Sequence, residues 1–211
     1  MDNVIKEIVI NMMKESIDDL MKENGFKRRD GSLHYTKKIG TTKQKLDMFY
    51  YSYPSYSPNA LMHLYPYFLV DFPRIIEKAR EMTEKDPKYS FVFDNNKIVT
   101  INEPIQLRVE SKRWILVDDK EASKLVLQIS AFLKQYTIPL LADLESEEDF
   151  IKLYESQDKR IAMGDIQHIY IASAYVLKGD YEKALSVLEN RFKVLGHKLH
   201  ETIFSYIEDL L

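Results

Sequence analysis

The sequence predicts an α+β fold, with a mostly antiparallel sheet covered by helices and an all-helical C-terminal region after it. Three observations predict it. Apolar residues recur at three- and four-residue spacing near the N-terminus and again from about residue 119 onward. Between these stretches the spacing shortens towards two from Phe26 to Tyr53, and further short strand-like runs follow as far as Val117. That middle stretch is punctuated by turn signals: Asp30-Gly31, Gly40, Pro54, Pro58 and Asn95-Asn96. The chain has 211 residues and a hydrophobic content of 45%, which is too high for a disordered chain. A chain of this mass buries about 70% of its unfolded surface, enough for a sizeable core.

The elements follow in order. Val4, Ile5, Ile8, Val9, Met12, Met13, Ile17, Leu20 and Met21 share one face of a helix that stops near Asn24-Gly25. Asp30-Gly31 joins 26–29 to 33–37 as a hairpin, because both turn positions favour positive φ. After Gly40, Leu46 and Met48 alternate with Lys45, Asp47 and Phe49, as in a half-buried strand. The stretch 60–72 is nearly all apolar and aromatic, but Pro66 lacks a ladder donor. It therefore reads as an edge strand, a bulged strand or two short strands. Pro73 suits a first helical turn, with Ile75, Ile76, Ala79 and Met82 facing inward. Strands are expected at 89–93, 97–101, 105–109 and 114–117.

Asp118 with Glu121 makes a capping box for a helix whose stripe runs through Val126, Ile129, Phe132 and Leu133, and Pro139 should end or kink it near Tyr136. Ser146 with Asp149 opens the next helix. The chain then reads as a helical hairpin, 166–178 and 181–192 with a break at Gly179-Asp180, followed by a last helix over 197–211. Ala172, Tyr175, Gly179, Asp180, Tyr181 and Ala184 resemble a single tetratricopeptide repeat, although His168 stands where that pattern has a large aromatic. One repeat cannot bury its face unaided, so the expected division is an α+β domain over 1–142 and a helical subdomain over 143–211 docked on it.

The absence of Cys excludes disulfides, thiolate nucleophiles and Cys-held metal or iron–sulfur sites, and fits a reducing compartment. Lys6, Glu7, Lys14 and Glu15 interrupt the N-terminal apolar pattern, unlike the core of a signal peptide. The chain lacks any run of about 18 uncharged apolar residues, so no membrane-spanning helix is expected and a cytoplasmic location is. No glycine-rich phosphate loop or Gly-x-Ser-x-Gly elbow occurs. His197 and His200, with Glu201, approach metal-ligand spacing but in the wrong order for a zinc helix, and read as exposed helix-end residues. Asp118-Asp119 and Glu147-Glu148-Asp149 lie where helices begin, where acids complement the helix dipole. No catalytic residue, cofactor or metal ligand is assigned.

Net charge is -3, with no global pull towards nucleic acid. Locally, 22–45 holds eight Lys or Arg against two acids, and 143–158 holds seven acids against one Lys. Arg28 and Arg29, on the basic strands near Tyr35, are candidate contacts for a partner's phosphates; a solvated sheet face is the structural alternative. The acidic segment is a second candidate docking surface. The densest anomaly is aromatic: six of the 14 Tyr fall within 50–67. Ser, Pro and Asn among them indicate a loop, so Tyr51, Tyr53 and Tyr56 either reach solvent for recognition or fold back to seal the sheet.

Leu20 to Tyr35, with Gly25-Phe26-Lys27-Arg28-Arg29 and a polar turn into Leu33-His34-Tyr35, together with Trp114-Ile115 before a helix, Tyr136-Thr137-Ile138-Pro139-Leu140-Leu141 and the 146–153 helix, resemble the bacterial domain of unknown function 4304 family over about residues 4–160. The resemblance implies a small cytoplasmic protein similar to those of toxin–immunity and accessory loci, a binder more than a catalyst. The expected function is therefore non-catalytic binding of another protein, immunity-like in kind. Nucleic-acid binding by the basic strands, or an enzyme with a distributed polar site, are the alternatives.

Overall fold

The computed structural model describes residues 2–93, 99–104 and 113–211. The chain is α+β, with antiparallel pairing in its strands and a helical C-terminal region. It divides into two compact units. The first is Met1–Ile39, Lys43–Leu69 and Asn102–Asp143; the second is Gly40–Thr42, Val70–Ile101 and Leu144–Leu211. The C-terminal helices thus share a unit with the 70–101 segment, so the contacts do not follow a single cut after residue 142.

In the first unit the N-terminal stripe forms two helices, α1 (Asp2–Ser16) and α2 (Asp18–Glu23), broken at a buried Ile17. Strand β1 (His34–Ile39) follows, and Gly40-Thr41 turns the chain into β2 (Thr42–Asp47). The expected hairpin at Asp30-Gly31 shrinks to one bridge, with Lys27 and Thr36 exchanging N–H···O bonds of 2.8 Å. Residues 28–29 turn away because Arg28 is drawn to Asp18 on α2. β3 (Tyr50–Ser52) comes next. Pro66 then separates two short strands, β4 (Met62–Leu64) and β5 (Tyr67–Asp71), which lie in different sheets. With β6 (Ile101–Pro104) and β7 (Trp114–Leu116), the strand orders are β1-β2-β5-β6 and β3-β4-β7.

A single turn (Asp119–Glu121), opened by the Asp118 carboxylate accepting from the Lys120 N–H, leads into α5 (Ala122–Phe132). The Ser130 hydroxyl donates to the Ser16 carbonyl at 2.9 Å, tying α5 to the end of α1. Pro139 does not end the helix near Tyr136. Leu133–Thr137 widens into a π turn and α6 (Ile138–Ala142) continues beyond it. Proline has no N–H and its ring crowds the carbonyl four residues back; the wider turn accommodates both. The whole run Asp119–Ala142 is long and apolar enough to cross a membrane by length and composition alone, with a mean hydropathy of 1.3 in its most apolar stretch, although Lys120, Glu121, Lys124 and Lys134 interrupt it. Its burial is one-sided, with Val126, Ile129 and Phe132 inside and Leu127 60% exposed, as in a helix packed on a core.

In the second unit α3 (Pro73–Thr83) buries the expected Ile75, Ile76, Ala79 and Met82. The expected strand at 89–93 is instead a short helix, α4 (Ser90–Phe93), because Asp86 Oδ1 accepts the N–H groups of Lys88 (2.8 Å) and Tyr89 (2.9 Å) and starts helical turns. Of the expected 97–101 strand, residues 97–98 lie outside the described residues, as does 105–109. The Ser146 hydroxyl accepts the Asp149 N–H and caps α7 (Glu147–Glu155), whose Phe150 stacks on Phe72 with ring centroids 5.5 Å apart.

The hairpin comprises α8 (Asp165–Lys178) and α9 (Tyr181–Leu199), longer than expected, and α10 (Glu201–Glu208) follows. Gly179 ends α8 at φ 76°, a left-handed conformation that other residues adopt only with strain. His168 Nδ1 lies 2.7 Å from the Gly164 carbonyl oxygen and its ring meets Tyr154 edge-on, so it fills the aromatic position of the repeat pattern while bonding to the helix start. His200, expected to be exposed, is buried: its Nδ1 lies 3.0 Å from Asp86 Oδ2, between the rings of Tyr89 and Phe192. Among the described residues no group of His, Asp and Glu could hold a metal ion.

Candidate functional site

Two features of the first unit carry chemistry. One is the outer face of the three-stranded sheet. In β4 the side chains alternate, sending Met62 and Leu64 into the core and His63 to the opposite face. The register sets His63 beside Tyr51 on β3 and Ile115 on β7. Tyr51, Tyr56 and Tyr65 ring it at centroid distances of 6.5, 5.8 and 5.7 Å, and Phe49 packs edge-on against Tyr51 at 4.9 Å. Tyr51, Tyr53 and Tyr56 are 48%, 48% and 57% exposed, so their rings reach solvent, while Tyr51 and Tyr56 with Tyr65 cover a histidine that is 5% exposed. Tyr53 has φ 48°, a left-handed conformation uncommon for an aromatic residue. Its N–H nevertheless donates to the Leu61 carbonyl at 2.9 Å, so the strained residue is anchored at the sheet end.

The Tyr56 hydroxyl and His63 Nδ1 share a hydrogen bond of 2.5 Å, while the buried Nε2 has no partner among the described residues. Burial pulls the imidazole below its ordinary value of 6.5, and the positive charge of Arg113 lowers it further. Neutral His63 fits this arrangement. Protonated, both nitrogens would have to donate, and Nε2 has no acceptor. Because the folded value is depressed, the unfolded chain binds more protons below about pH 6.5. The stability His63 supports is therefore complete above that pH and is lost as pH falls towards and through the lowered folded value. His63→Phe keeps a ring among rings and removes the proton. The unfolding free energy of wild type minus that of this variant should fall progressively as pH drops below about 6.5 in parallel urea titrations. A constant difference would contradict the assignment.

The second feature is a cleft of about 600 Å³ between α1–α2 and the segment 25–35. Its floor is an internal ion pair. Arg28 donates through Nε (2.8 Å) and Nη2 (2.5 Å) to Asp18 and through Nη1 (3.1 Å) to the Ser32 carbonyl, and the Tyr35 hydroxyl donates to Asp18 at 2.7 Å. The Arg28 bonds hold the Asp18 carboxyl below its usual range against burial that raises it, and the Tyr35 bond adds to the lowering. Burial, then Asp18, push the Tyr35 phenol far up. Each group is thus locked in its ordinary charge state near neutrality, which suits structure and not proton transfer.

The sequence-predicted residues separate. Tyr51, Tyr53 and Tyr56 gather at the β3 end of one face. Arg28, with a side chain only 7% exposed, belongs to the cleft floor, and Arg29 is exposed in the turn before Asp30-Gly31. His63 was not among the residues singled out from the sequence. The available signal was the apolar pair Met62 and Leu64 flanking a polar residue in a strand, which places His63 on the Tyr side. The acids of 143–158 serve the helix start, in that Asp149 bonds Ser146 and Lys152, and Glu148 pairs with Lys178 at 2.7 Å. No protein-family model, curated protein or solved structure matches the chain.

Proposed function

We propose that this is a non-catalytic binding protein that recognises another protein through the Tyr face of the β3-β4-β7 sheet. The observation that carries the reading is the exposed aromatic surface in which Phe49 packs on Tyr51, and Tyr51 and Tyr56 meet over His63, with the exposed Tyr53 on the segment between them. Water-facing aromatics in contact with one another mark association surfaces, whereas scattered ones do not. Tyrosine offers large contact area at low entropic cost and a hydroxyl for the partner's polar groups. The paired sheet beneath holds the rings in place before binding, which limits the ordering cost. Kinship with the domain of unknown function 4304 family, an immunity-like role and a cytoplasmic location belong to the same proposal. The family likeness is supported by the helix before Gly25-Phe26, the Trp114-Ile115 strand before a helix and the Ser146 cap. The nucleic-acid alternative has lost Arg28 as a free cation.

Replacing Tyr51, Tyr53 and Tyr56 together by Ser should leave the circular dichroism spectrum nearly unchanged, since the rings are half exposed, and lower the melting temperature modestly through the lost Tyr56 bond to His63. Quantitative affinity purification from matched lysates should lose the partners captured by wild type. An identical partner set with the fold intact would sink the Tyr face as the binding surface.

A further inference from the structure

We propose that the cleft between α1–α2 and the 25–35 segment binds a small phosphate monoester, with Lys22 and Lys27 holding the phosphate and the organic body lying in the cavity. Its volume of about 600 Å³ lies within the range of small-molecule sites.

The charge balance of the lining sets the ligand's sign. Asp18 is neutralised by Arg28, and the second lining acid, Asp30, faces Lys14 at 3.5 Å. Lys22 and Lys27 are left, and their ammonium groups make no ion pair or hydrogen bond among the described residues. Two uncompensated cations at one cavity favour a dianion, and a phosphate monoester carries close to two negative charges at neutral pH. The floor is rigid before the ligand arrives, because Phe26 and Tyr35 support it from beneath at 4% and 1% exposed, with the cations of Lys37 and Arg28 each 5.7 Å over their rings. Nothing in this assignment depends on the Tyr face, which lies on a different sheet surface.

The test is isothermal titration calorimetry of the full chain with adenosine 5′-monophosphate, adenosine, glucose 6-phosphate and inorganic phosphate. The expected result is saturable one-site binding of the two phosphate esters, with inorganic phosphate weaker, adenosine weaker still, and affinity falling as salt rises. The double variant Lys22→Glu, Lys27→Glu should lose affinity by on the order of tenfold or more. Lys6→Glu, an exposed charge reversal on α1 outside the cleft, should bind as wild type does. Both variants change exposed side chains, and their folding is checked by the emission of Trp114. Absence of saturable binding by either ester, equal losses in the cleft and Lys6 variants, or adenosine binding as tightly as its monophosphate would each overturn the proposal.

Discussion

Asp86→Ala is expected to lower the unfolding free energy of the second unit by about 3–5 kcal/mol, reckoned at roughly 1–3 kcal/mol per orphaned buried partner with some relaxation. Asp86 is fully buried on an irregular segment between α3 and α4, and its carboxylate serves three partners. One oxygen takes the N–H groups of Lys88 and Tyr89, which starts α4; the other meets His200 Nδ1 at the beginning of α10. Alanine leaves all three unmet. It also loosens the seat of Tyr89, whose hydroxyl donates to Asp165 at 3.1 Å beside Arg191. Asp86→Asn keeps an oxygen for the helix start but sets an amide against His200, so its loss should be intermediate. Urea unfolding followed by far-ultraviolet circular dichroism separates the cases. A change under about 1 kcal/mol for the alanine variant would show that water replaces the carboxylate and that the network contributes little.

Trp114→Ala should cost the first unit about 3–5 kcal/mol, the usual range for removing a large buried aromatic. The side chain is 2% exposed, meets Phe132 of α5 edge-on at 5.2 Å, and sits on β7 opposite Leu64 of β4. Trp114→Phe should cost much less. The indole Nε1 is buried without a hydrogen-bond partner among the described residues, so phenylalanine removes an unpaired polar group while leaving a modest void. The consequence reaches the Tyr face, because β7 holds β4 and β4 carries His63. Trp114→Ala should therefore weaken partner capture even though Trp114 points into the core. Equal destabilisation by the Phe and Ala variants would contradict the role given to the unpaired indole.

Much of this architecture was legible in the residues themselves. The stripe through Val126, Ile129 and Phe132, the Pro73 helix start, the Ser146 cap and the Gly179 stop are local signals, each satisfied within a few residues of chain. The misses were of two kinds, local signals that outweighed a stronger neighbouring one and a partner far away in the chain. The 89–93 segment has aromatic and β-branched residues at strand-like spacing, yet Asp86 claims its N–H groups from just upstream. Pro139 reads as a helix stop or a kink, and of the two the irregular turn is what forms, at Leu133–Thr137, with Leu133, Leu140 and Leu141 buried on either side of it. His200 reads as a surface residue because its partner lies 114 positions away.

The candidate surfaces divide in the same way. Composition and turn chemistry alone placed the Tyr cluster near a strand end, excluded thiol chemistry and located the excess positive charge at 22–45. Tertiary structure decided which of those groups are available. Pairing of β3 with β4 brought Tyr51 and Tyr56 over His63, and α2 took Arg28 out of solvent while leaving Lys22 and Lys27 unpaired. The physical reason is range. Backbone preferences and amphipathic periodicity act over a few residues and can be read along the chain. Hydrogen bonds and ion pairs between distant segments depend on a register and a packing that only the folded chain sets.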